Sequence, residues 1–595
     1  MKNLFLKLII LISISISVLF ACIPADKYQQ EVVTLDNGTK QFRGGELRYV
    51  EGIAFLKLSG TDYEMGLQHG VLIKEEREQF NKMLDKYASI PIWLRRLFMR
   101  SSHLSSAAQL SEFIQQEMQG LAEGAGVTYV DVVYDNLVGA FRCTSALFQD
   151  NNTLLHGRNM DWPKSEMGNY TVVIEYNPEG KDRYVSVGFP GVVTAFTSMN
   201  QNGITLSGNA SDIIKGDEKR DNLLFFTTKE VLTTASDMDD VDTLLNRFET
   251  PVGCMVTIGS ALEQSGAIYD VVGDVYKNAL GSKPYIGVSN HFENTDNSYS
   301  YQWLSRVGSA GNMGRSEMLL QALAEMPDNT PDSLIDVFAS ADFHDYKSIL
   351  GVCGITGGVA TPNNVMSLQT VIFDGAKGDM YVSSSPGYSG WAKFLRYNIN
   401  TGLIETYREA DVRFEDSLRV SQWWSNNFQC LIRGDFRGIL ENTDITSDEI
   451  TPMEVFYVHY AWKFNLVSSE QMIELYDSLI ERYPDLPVSY IYKADVLIKG
   501  GNSYRDAAIA LVETTLDSSV IMYPADEMHA CRRLASWYSE KGDQSTAASY
   551  AQRCLNTFIL YEKRGPVNPN NPAGESETTI EDEMQALVDL NVRMD

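Results

Sequence analysis

The pattern of hydrophobic and polar positions divides this 595-residue chain into two parts. Between about residues 45 and 400, short runs in which apolar and polar residues alternate predict antiparallel strands. They are interrupted by stretches with apolar residues at helical spacing, such as 221–234 and 316–324. From about residue 412 onward only helical spacing is evident. The chain is therefore predicted to have an α+β region followed by an all-α region.

A predicted β-hairpin lies at the centre of the first part. A run of small apolar residues, 143–148, is followed by the polar turn 149–152 and then by a second strand. In the register that this turn predicts, Cys143 faces Arg158, and Asp161 lies just beyond the strand end. The hairpin would therefore bring a thiol, a guanidinium and a carboxylate together. A cation beside a cysteine favours the thiolate, which is the nucleophilic form.

The residues on either side of this turn resemble a known family. Cys-Thr-Ser at Cys143 and Gly-Arg-Asn-Met-Asp-Trp around Arg158 are similar to the N-terminal-nucleophile (Ntn) hydrolases of the choloylglycine hydrolase and acyl-coenzyme A:6-aminopenicillanic acid acyltransferase type. That group includes bile-salt hydrolase, acid ceramidase and N-acylethanolamine acid amidase. The resemblance covers roughly residues 45–400. It implies a four-layer αββα sandwich in which Cys143 attacks a linear, non-peptide amide of a small N-acyl substrate.

The nucleophile of an Ntn hydrolase is a chain N-terminus, yet 142 residues precede Cys143. Resemblance to the ceramidase and acyltransferase branches implies that the chain cuts itself at Arg142–Cys143. The freed α-amino group, whose pKa is ordinarily near 8, can then shuttle the thiol proton, so neither a histidine base nor a cofactor is needed. Asp161 would hold the amino group and the thiol, and Arg158 would favour the thiolate and order Asp161.

Three further segments resemble parts of the same site. Met-Asn-x-x-Gly followed by a strand and Asn209 is similar to the segment with the oxyanion-hole asparagine. The segment around Asn290 is similar to one whose asparagine side chain contributes to catalysis or the oxyanion hole. Arg315 opens a predicted helix where the family has an arginine near the nucleophile, with Arg306 as its competitor. The resemblance thus implies roles for Asn209, Asn290 and Arg315.

The first 22 residues are predicted to be a lipoprotein signal peptide. Lys2 and Lys7 precede the apolar core 8–20, and the string Leu-Phe-Ala-Cys ends at Cys22. This ending resembles a bacterial lipobox, which implies a lipid on the Cys22 thiol and a place in the bacterial cell envelope, facing the periplasm or the outside. The alternatives are an uncleaved anchor and a plain secretory signal. The net charge of −29 argues against nucleic-acid binding.

Four regions are predicted along the chain. They are the signal peptide 1–22, a tether and N-terminal segment 23–142, the Ntn catalytic domain 143–404 and a helical domain 405–595. Helix pairs in the last region resemble tetratricopeptide repeats, with a plain helical bundle as the alternative. A protein partner would dock there. Because no acid, base or nucleophile set is visible after residue 405, bond cleavage is predicted not to need that region.

Two other features are assigned no chemistry. The seven cysteines are scattered, with no Cys-x-x-Cys pair and no metal-ligand spacing, so no metal site is predicted. The string 60–70, Gly-Thr-Asp-Tyr-Glu-Met-Gly-Leu-Gln-His-Gly, precedes a helical stretch. Its glycines predict close helix packing, and His69 within it is predicted to be structural.

Two other functions remain open at this point. In the first, the thiol is paired with a histidine as in papain-type enzymes, with His291 or His156 as the base. In the second, the chain is an inactive lipid-anchored binding protein that uses its helical repeats as a scaffold. An active Ntn enzyme should be split at Arg142–Cys143, whereas an inert scaffold should not.

Overall fold

The computed structural model describes residues 27–87, 104–105, 107–137, 142–150, 153–214, 224–247, 252–272, 274–290, 300–301, 315–316, 318–340, 362–448, 450–518 and 524–562. The chain forms two compact units. Unit 1 comprises residues 1–139, 170–201 and 225–234, and unit 2 comprises residues 140–169, 202–224 and 235–595. Cys22 lies outside the described residues. Within them, no helix combines the length and the apolar character needed to cross a bilayer.

The strands of the described residues, in chain order, are β1 Val33–Thr34, β2 Lys40–Phe42, β3 Gly45–Val50, β4 Ile53–Gly60, β5 Arg142–Gln149, β6 Leu154–Asp161, β7 Val172–Pro178, β8 Tyr184–Gly188, β9 Thr197–Asn200, β10 Ile204–Ile214, β11 Val252–Ser260, β12 Ser265–Val272, β13 Asp274–Ala279, β14 Tyr285–Val288, β15 Ser300–Tyr301, β16 Ser367–Asp374, β17 Asp379–Ser384, β18 Phe394–Asn398 and β19 Ile404–Arg408. The α-helices are α1 Asp62–Leu72, α2 Lys74–Tyr87, α3 Glu112–Ala125, α4 Tyr129–Leu137, α5 Leu224–Thr234, α6 Met238–Leu245, α7 Pro331–Phe338, α8 Phe414–Arg433, α9 Phe436–Glu441, α10 Pro452–Lys463, α11 Ser469–Arg482, α12 Pro487–Lys499, α13 Arg505–Asp517, α14 Pro524–Lys541 and α15 Gln544–Glu562. Residues 315–316 and 318–324 are also helical.

Unit 1 contains the strands β1-β2-β3-β4-β7-β8-β9 in that spatial order, with β4 and β7 parallel. Its helices α1 and α3 approach so closely that glycine is required at the contact. A Cβ atom at Gly66 would lie 2.0 Å from the carbonyl oxygen of Glu117, and one at Gly120 would lie 2.1 Å from that of Tyr63. The predicted role of the glycines in the 60–70 string is confirmed. His69 is buried and accepts the Gly191 N–H, as expected of a structural residue.

Unit 2 has the layer order helix, sheet, sheet, helix. One face of the hairpin β5–β6 packs through Leu147 against β11 and β12. Its other face packs through Ala146 against α7 and the helical segment 318–324. On the far side of β12, the Tyr269 hydroxyl donates to Asp242 of α6. The predicted α+β fold with an αββα arrangement is confirmed.

The first sheet of unit 2 is antiparallel, in the order β14-β5-β6-β16-β17-β18-β19. In it, Cys143 pairs with Met160 rather than with Arg158, because β5 ends at Gln149, which pairs with Leu154 at the start of β6. The predicted register is therefore wrong by two residues. Since side chains alternate between faces with a period of two, the shift leaves Cys143 and Arg158 on the same face. Asp161 is the last residue of β6 and pairs with Arg142.

The helices after residue 414 form the predicted antiparallel pairs, α12 with α13 and α14 with α15. Strand β19 crosses the predicted domain boundary at 404/405 and pairs with β18. The seven-stranded sheet that contains Cys143 and the helices from α8 onward belong to unit 2.

Candidate active site

The thiol of Cys143 lies in a fully buried position on β5, against the guanidinium of Arg158 on β6. Arg158 Nη2 donates to the Cys143 sulfur at 2.9 Å and to the Gly208 carbonyl oxygen at 3.0 Å. The two residues are diagonal neighbours on one face of the hairpin, within reach of a long side chain. Burial raises the pKa of the Cys143 thiol, and the charge of Arg158 opposes that rise. The thiol therefore needs a base to become a nucleophile.

The backbone nitrogen of Cys143 is held by Asn290. The Cys143 N–H donates to Asn290 Oδ1 at 2.9 Å, and Asn290 Nδ2 donates to the Ala210 carbonyl oxygen at 2.6 Å. Asn290 reaches this position because β14 pairs with β5, with Val288 opposite Ser145. The side chain of Asn290 is therefore fixed against the atom that would become the α-amine.

Asp161 lies on the opposite face of the hairpin from the Cys143 side chain. Its Oδ2 accepts from Arg315 Nη1 at 2.6 Å, and its Oδ1 accepts from Ser367 Oγ at 2.7 Å. Burial raises the pKa of Asp161, while Arg315, Ser367 and Asn364 oppose that rise. Asp161 was expected to hold the nitrogen of Cys143 and to be ordered by Arg158, and this stays a prediction for the cut enzyme. In this uncut chain, Asn290 accepts from that nitrogen and Arg315 pairs with Asp161. Asp161 is an odd number of residues from Arg158 and so projects from the other face of the strand.

Arg315 joins the two faces of the hairpin. Its Nη2 donates to Asn290 Oδ1 at 2.5 Å while its Nη1 binds Asp161. Asn290 Oδ1 therefore accepts hydrogen bonds both from Arg315 and from Cys143. Arg315 is fully buried at the start of the helical segment, and its competitor Arg306 lies outside the described residues.

Asn209 ties β10 to the nucleophile strand. Its Oδ1 accepts from Ser145 Oγ at 2.6 Å, and its Nδ2 donates to the Ser289 carbonyl oxygen at 2.8 Å. The structure buries all six predicted residues close together in unit 2. Hydrogen bonds join five of them directly, namely Cys143, Arg158, Asp161, Asn290 and Arg315, and Asn209 is linked to them through Ser145 and Ser289. Within this uncut chain, the Asn209 side chain binds protein atoms next to Cys143 and Asn290.

The matches among known proteins are distant. No protein-family model matches the sequence. A curated relative, an uncharacterized protein of Archaeoglobus fulgidus, is 23% identical over 269 residues, which are 38% of this chain and 44% of that protein. The chain thus spans less than half of that relative's length.

Solved structures that match include a Caenorhabditis elegans ortholog of N-acylethanolamine-hydrolyzing acid amidase, with 16% identity over 39% of this chain and 93% of that chain and a TM-score of 0.29. Two variants of the conjugated bile acid hydrolase from Clostridium perfringens match 45% of this chain and 96% and 98% of theirs, with 15% and 13% identity and TM-scores of 0.24 and 0.28. Both are enzymes of the kind that the string around Cys143 resembles. At these TM-scores they carry no argument about chemistry, which rests on the geometry of the site.

Of the two histidines offered as alternative bases, His156 is the one within the described residues, and it does not meet the thiol. His156 is buried, and its Nδ1 and Nε2 bind the hydroxyls of Thr205 and Ser207 at 3.0 and 2.8 Å. Burial lowers the pKa of His156 to about 3, with Arg158 adding to the effect. Both ring nitrogens are therefore engaged away from Cys143. His291 lies outside the described residues.

The sequence did not single out Ser367 and Asn364, which bind the Asp161 carboxylate. Ser367 starts β16 and pairs with Asp161, 206 residues earlier in the chain. The string Asn-Asn-x-x-Ser that leads into β16 was the available signal, because asparagine and serine close turns through their side chains. Without the strand pairing, nothing linked that turn to Asp161.

Proposed function

We propose that this chain is a cysteine amidohydrolase of the Ntn type that cleaves the linear C–N amide bond of a small N-acyl substrate. The observation that carries the proposal is the fixation of both reactive groups of Cys143. Arg158 binds its sulfur and Asn290 accepts from its nitrogen, in a network that Arg315 and Asp161 complete. A buried network that orients the nitrogen as well as the sulfur of a cysteine suits a mechanism in which both atoms react.

Maturation is the first step of the proposal. The Cys143 sulfur attacks the carbonyl carbon of Arg142, and the Arg142–Cys143 peptide nitrogen leaves as the α-amine. Water then hydrolyses the thioester, which frees the thiol and leaves a carboxylate on Arg142. The former amide nitrogen, still held by Asn290 Oδ1, becomes a primary amine whose pKa is ordinarily near 8.

In turnover, this amine takes the proton of the Cys143 thiol, and the thiolate attacks the substrate carbonyl. Arg158 lowers the cost of the thiolate in a site where burial raises the thiol pKa. Asn290 and the backbone amides near Asn209 donate to the oxyanion, and the substrate amine leaves with the proton from the α-amine. Water then releases the acyl group as a carboxylic acid. If an amine takes the acyl group instead, the reaction is acyl transfer.

Substrate and location complete the proposal. The residue string around Cys143 resembles enzymes that act on linear amides with an apolar acyl chain, and we take that substrate class as the proposal here. The lipid on Cys22 would hold the enzyme on the bacterial cell envelope, facing the periplasm or the outside. Changing Cys22 to Ser should move the protein out of the membrane fraction. An unchanged fraction and mass would count against the anchor.

The test of the reaction is a panel of N-acyl amino acids, N-acylethanolamines and conjugated bile acids offered to the purified protein and to two variants. Cys143→Ala should abolish release of the amine and leave the chain uncut. Cys143→Ser keeps a weaker nucleophile and should also lose turnover. Hydrolysis by the Cys143→Ala protein at the rate of the unchanged protein would refute the assignment of the nucleophile. A protein that binds an N-acyl amide without hydrolysing it would favour the alternative in which the chain is an inactive binding protein.

A further inference from the structure

The segment 364–367 forms a turn that holds both the side chain and the backbone around Asp161. Ser367 Oγ donates to Asp161 Oδ1 at 2.7 Å, and the Asn364 side chain also bonds to the carboxylate. The Trp162 N–H, one residue after Asp161, donates to the Met366 carbonyl oxygen at 2.8 Å. Within the turn, the N–H of Met366 donates to Asn364 Oδ1 at 2.8 Å. A shift of this turn would therefore shift Asp161.

The outer side of the same turn packs against helix α8 of the helical region. The side chains of Val365 and Met366 are buried in one apolar cluster with residues of that helix, which are Val420, Trp424, Phe428 and Leu431. Gly387 approaches both elements, since a Cβ atom there would lie 2.2 Å from Ser421 Oγ of α8 and 2.6 Å from the Val365 carbonyl oxygen of the turn. Helix α8 and the segment that clasps Asp161 therefore lie beside the same glycine and share one apolar cluster.

Trp424 is the largest of these four α8 side chains and is fully buried. Its indole N–H has no hydrogen-bond partner among the described residues. The ring therefore contributes by filling space, and a phenylalanine would keep most of that packing without losing a hydrogen bond.

We propose that helix α8 is part of the support of the active site and that Trp424 is a positioning residue, which acts on Asp161 through the turn 364–367. This inference rests on the proposed function. It also reverses the expectation that bond cleavage does not need the region after residue 405. That expectation rested on the lack of an acid, base and nucleophile set after residue 405. The proposed support of Asp161 comes instead from the apolar cluster that helix α8 shares with the turn 364–367.

The experiment compares Trp424→Leu with two reference variants. Trp424→Phe is the conservative change at the same site, and Trp537→Leu makes the same change in the helical region, in a separate cluster of α12, α13 and α14. Steady-state kinetics on a hydrolysed N-acyl amide are measured across pH, together with the extent of the cut at Arg142–Cys143. Trp424→Leu should lower kcat by roughly 10–100-fold with KM within about twofold, since small displacements of catalytic groups act on kcat. Trp424→Phe and Trp537→Leu should each stay within roughly threefold of the unchanged protein.

The pH profile distinguishes positioning from general loss of stability. Arg315 pairs with Asp161, Arg158 acts on it as a cation from the other face of the hairpin, and Ser367 and Asn364 are its hydrogen-bond donors. Loosening the donors in the turn removes an interaction that keeps the carboxyl ionised, so the acid limb of kcat should move to higher pH in Trp424→Leu only. Equal kinetics in Trp424→Leu and Trp537→Leu, with unmoved acid limbs, would overturn the inference.

Two further outcomes of this experiment have different meanings. If Trp424→Leu does not fold, Val365→Ala tests the same contact from the side of the turn, and an unchanged kcat and acid limb in that variant would overturn the inference. If Cys143→Ala retains turnover, the proposed function itself fails, whatever the tryptophan variants show.

Discussion

Replacing Arg315 with Met tests the central ion pair of the site. The guanidinium is buried and donates to Asp161 at 2.6 Å and to Asn290 at 2.5 Å, so its removal leaves a buried carboxylate without its cation. Breaking a buried pair from one side typically costs about 3–5 kcal/mol. We expect the free energy of unfolding of Arg315→Met to fall by about that amount at neutral pH.

The titration of Asp161 determines whether the stability loss of Arg315→Met grows or shrinks with pH. Burial raises its pKa and Arg315 opposes that rise, so removing Arg315 raises the pKa further. A carboxyl whose pKa is higher in the folded than in the unfolded state makes its full contribution to stability at pH values below its unfolded-state pKa. That contribution is lost as the pH rises through the folded-state pKa. The deficit of Arg315→Met should therefore be largest at neutral pH and shrink as the pH falls.

The assay is urea unfolding followed by far-ultraviolet circular dichroism, in the Cys143→Ala background so that every chain is uncut. Adding Asp161→Asn to Arg315→Met should recover part of the loss, because it removes the unpaired charge. Arg408→Met, which breaks an exposed pair with Asp336, is the matched control and should cost less than about 1 kcal/mol. A deficit below about 1 kcal/mol for Arg315→Met, or one independent of pH and of Asp161→Asn, would refute the reasoning.

Three other predictions address separate parts of the molecule. Asn290→Ala should lower kcat by roughly 10²–10³ in steady-state assays, the typical cost of one oxyanion donor, and a loss below tenfold would remove Asn290 from that role. His156→Gln should keep most of the turnover because its ring nitrogens bind Thr205 and Ser207, whereas a loss comparable with Cys143→Ala in a folded, cut protein would restore a Cys–His mechanism. Gly66→Ala should destabilise the protein by about 1–3 kcal/mol and lower its melting temperature, because the new Cβ atom would meet the Glu117 carbonyl oxygen. Alanine has the higher helix propensity, so a rise in melting temperature would contradict the close helix contact.

The sequence predicted the strands around the nucleophile well because face alternation survives an error of register. The second strand begins one residue later than predicted, yet Cys143 and Arg158 still met, since a two-residue slip preserves the face. The same alternation places Asp161 on the opposite face from Arg158, which the sequence already implied.

Contacts between distant segments were not predictable in this way. Ser367 meets Asp161 because β16 pairs with β6, and no local pattern in either strand names the other as its partner. The packing of α8 against Val365 and Met366 has the same origin: its helical spacing predicted a helix with a buried face but not the surface that covers it. Local periodicity fixes which side of an element is buried, whereas pairing depends on the whole fold.

The central claim is that Cys143 becomes a chain N-terminus. The most direct measurement is the intact mass of the purified, amide-hydrolysing protein under denaturing conditions, with N-terminal sequencing of each fragment and the Cys143→Ala protein as the uncut control. We predict two fragments, the longer beginning at Cys143, and a single chain in Cys143→Ala. A single uncut chain in a preparation that turns over substrate would contradict the claim.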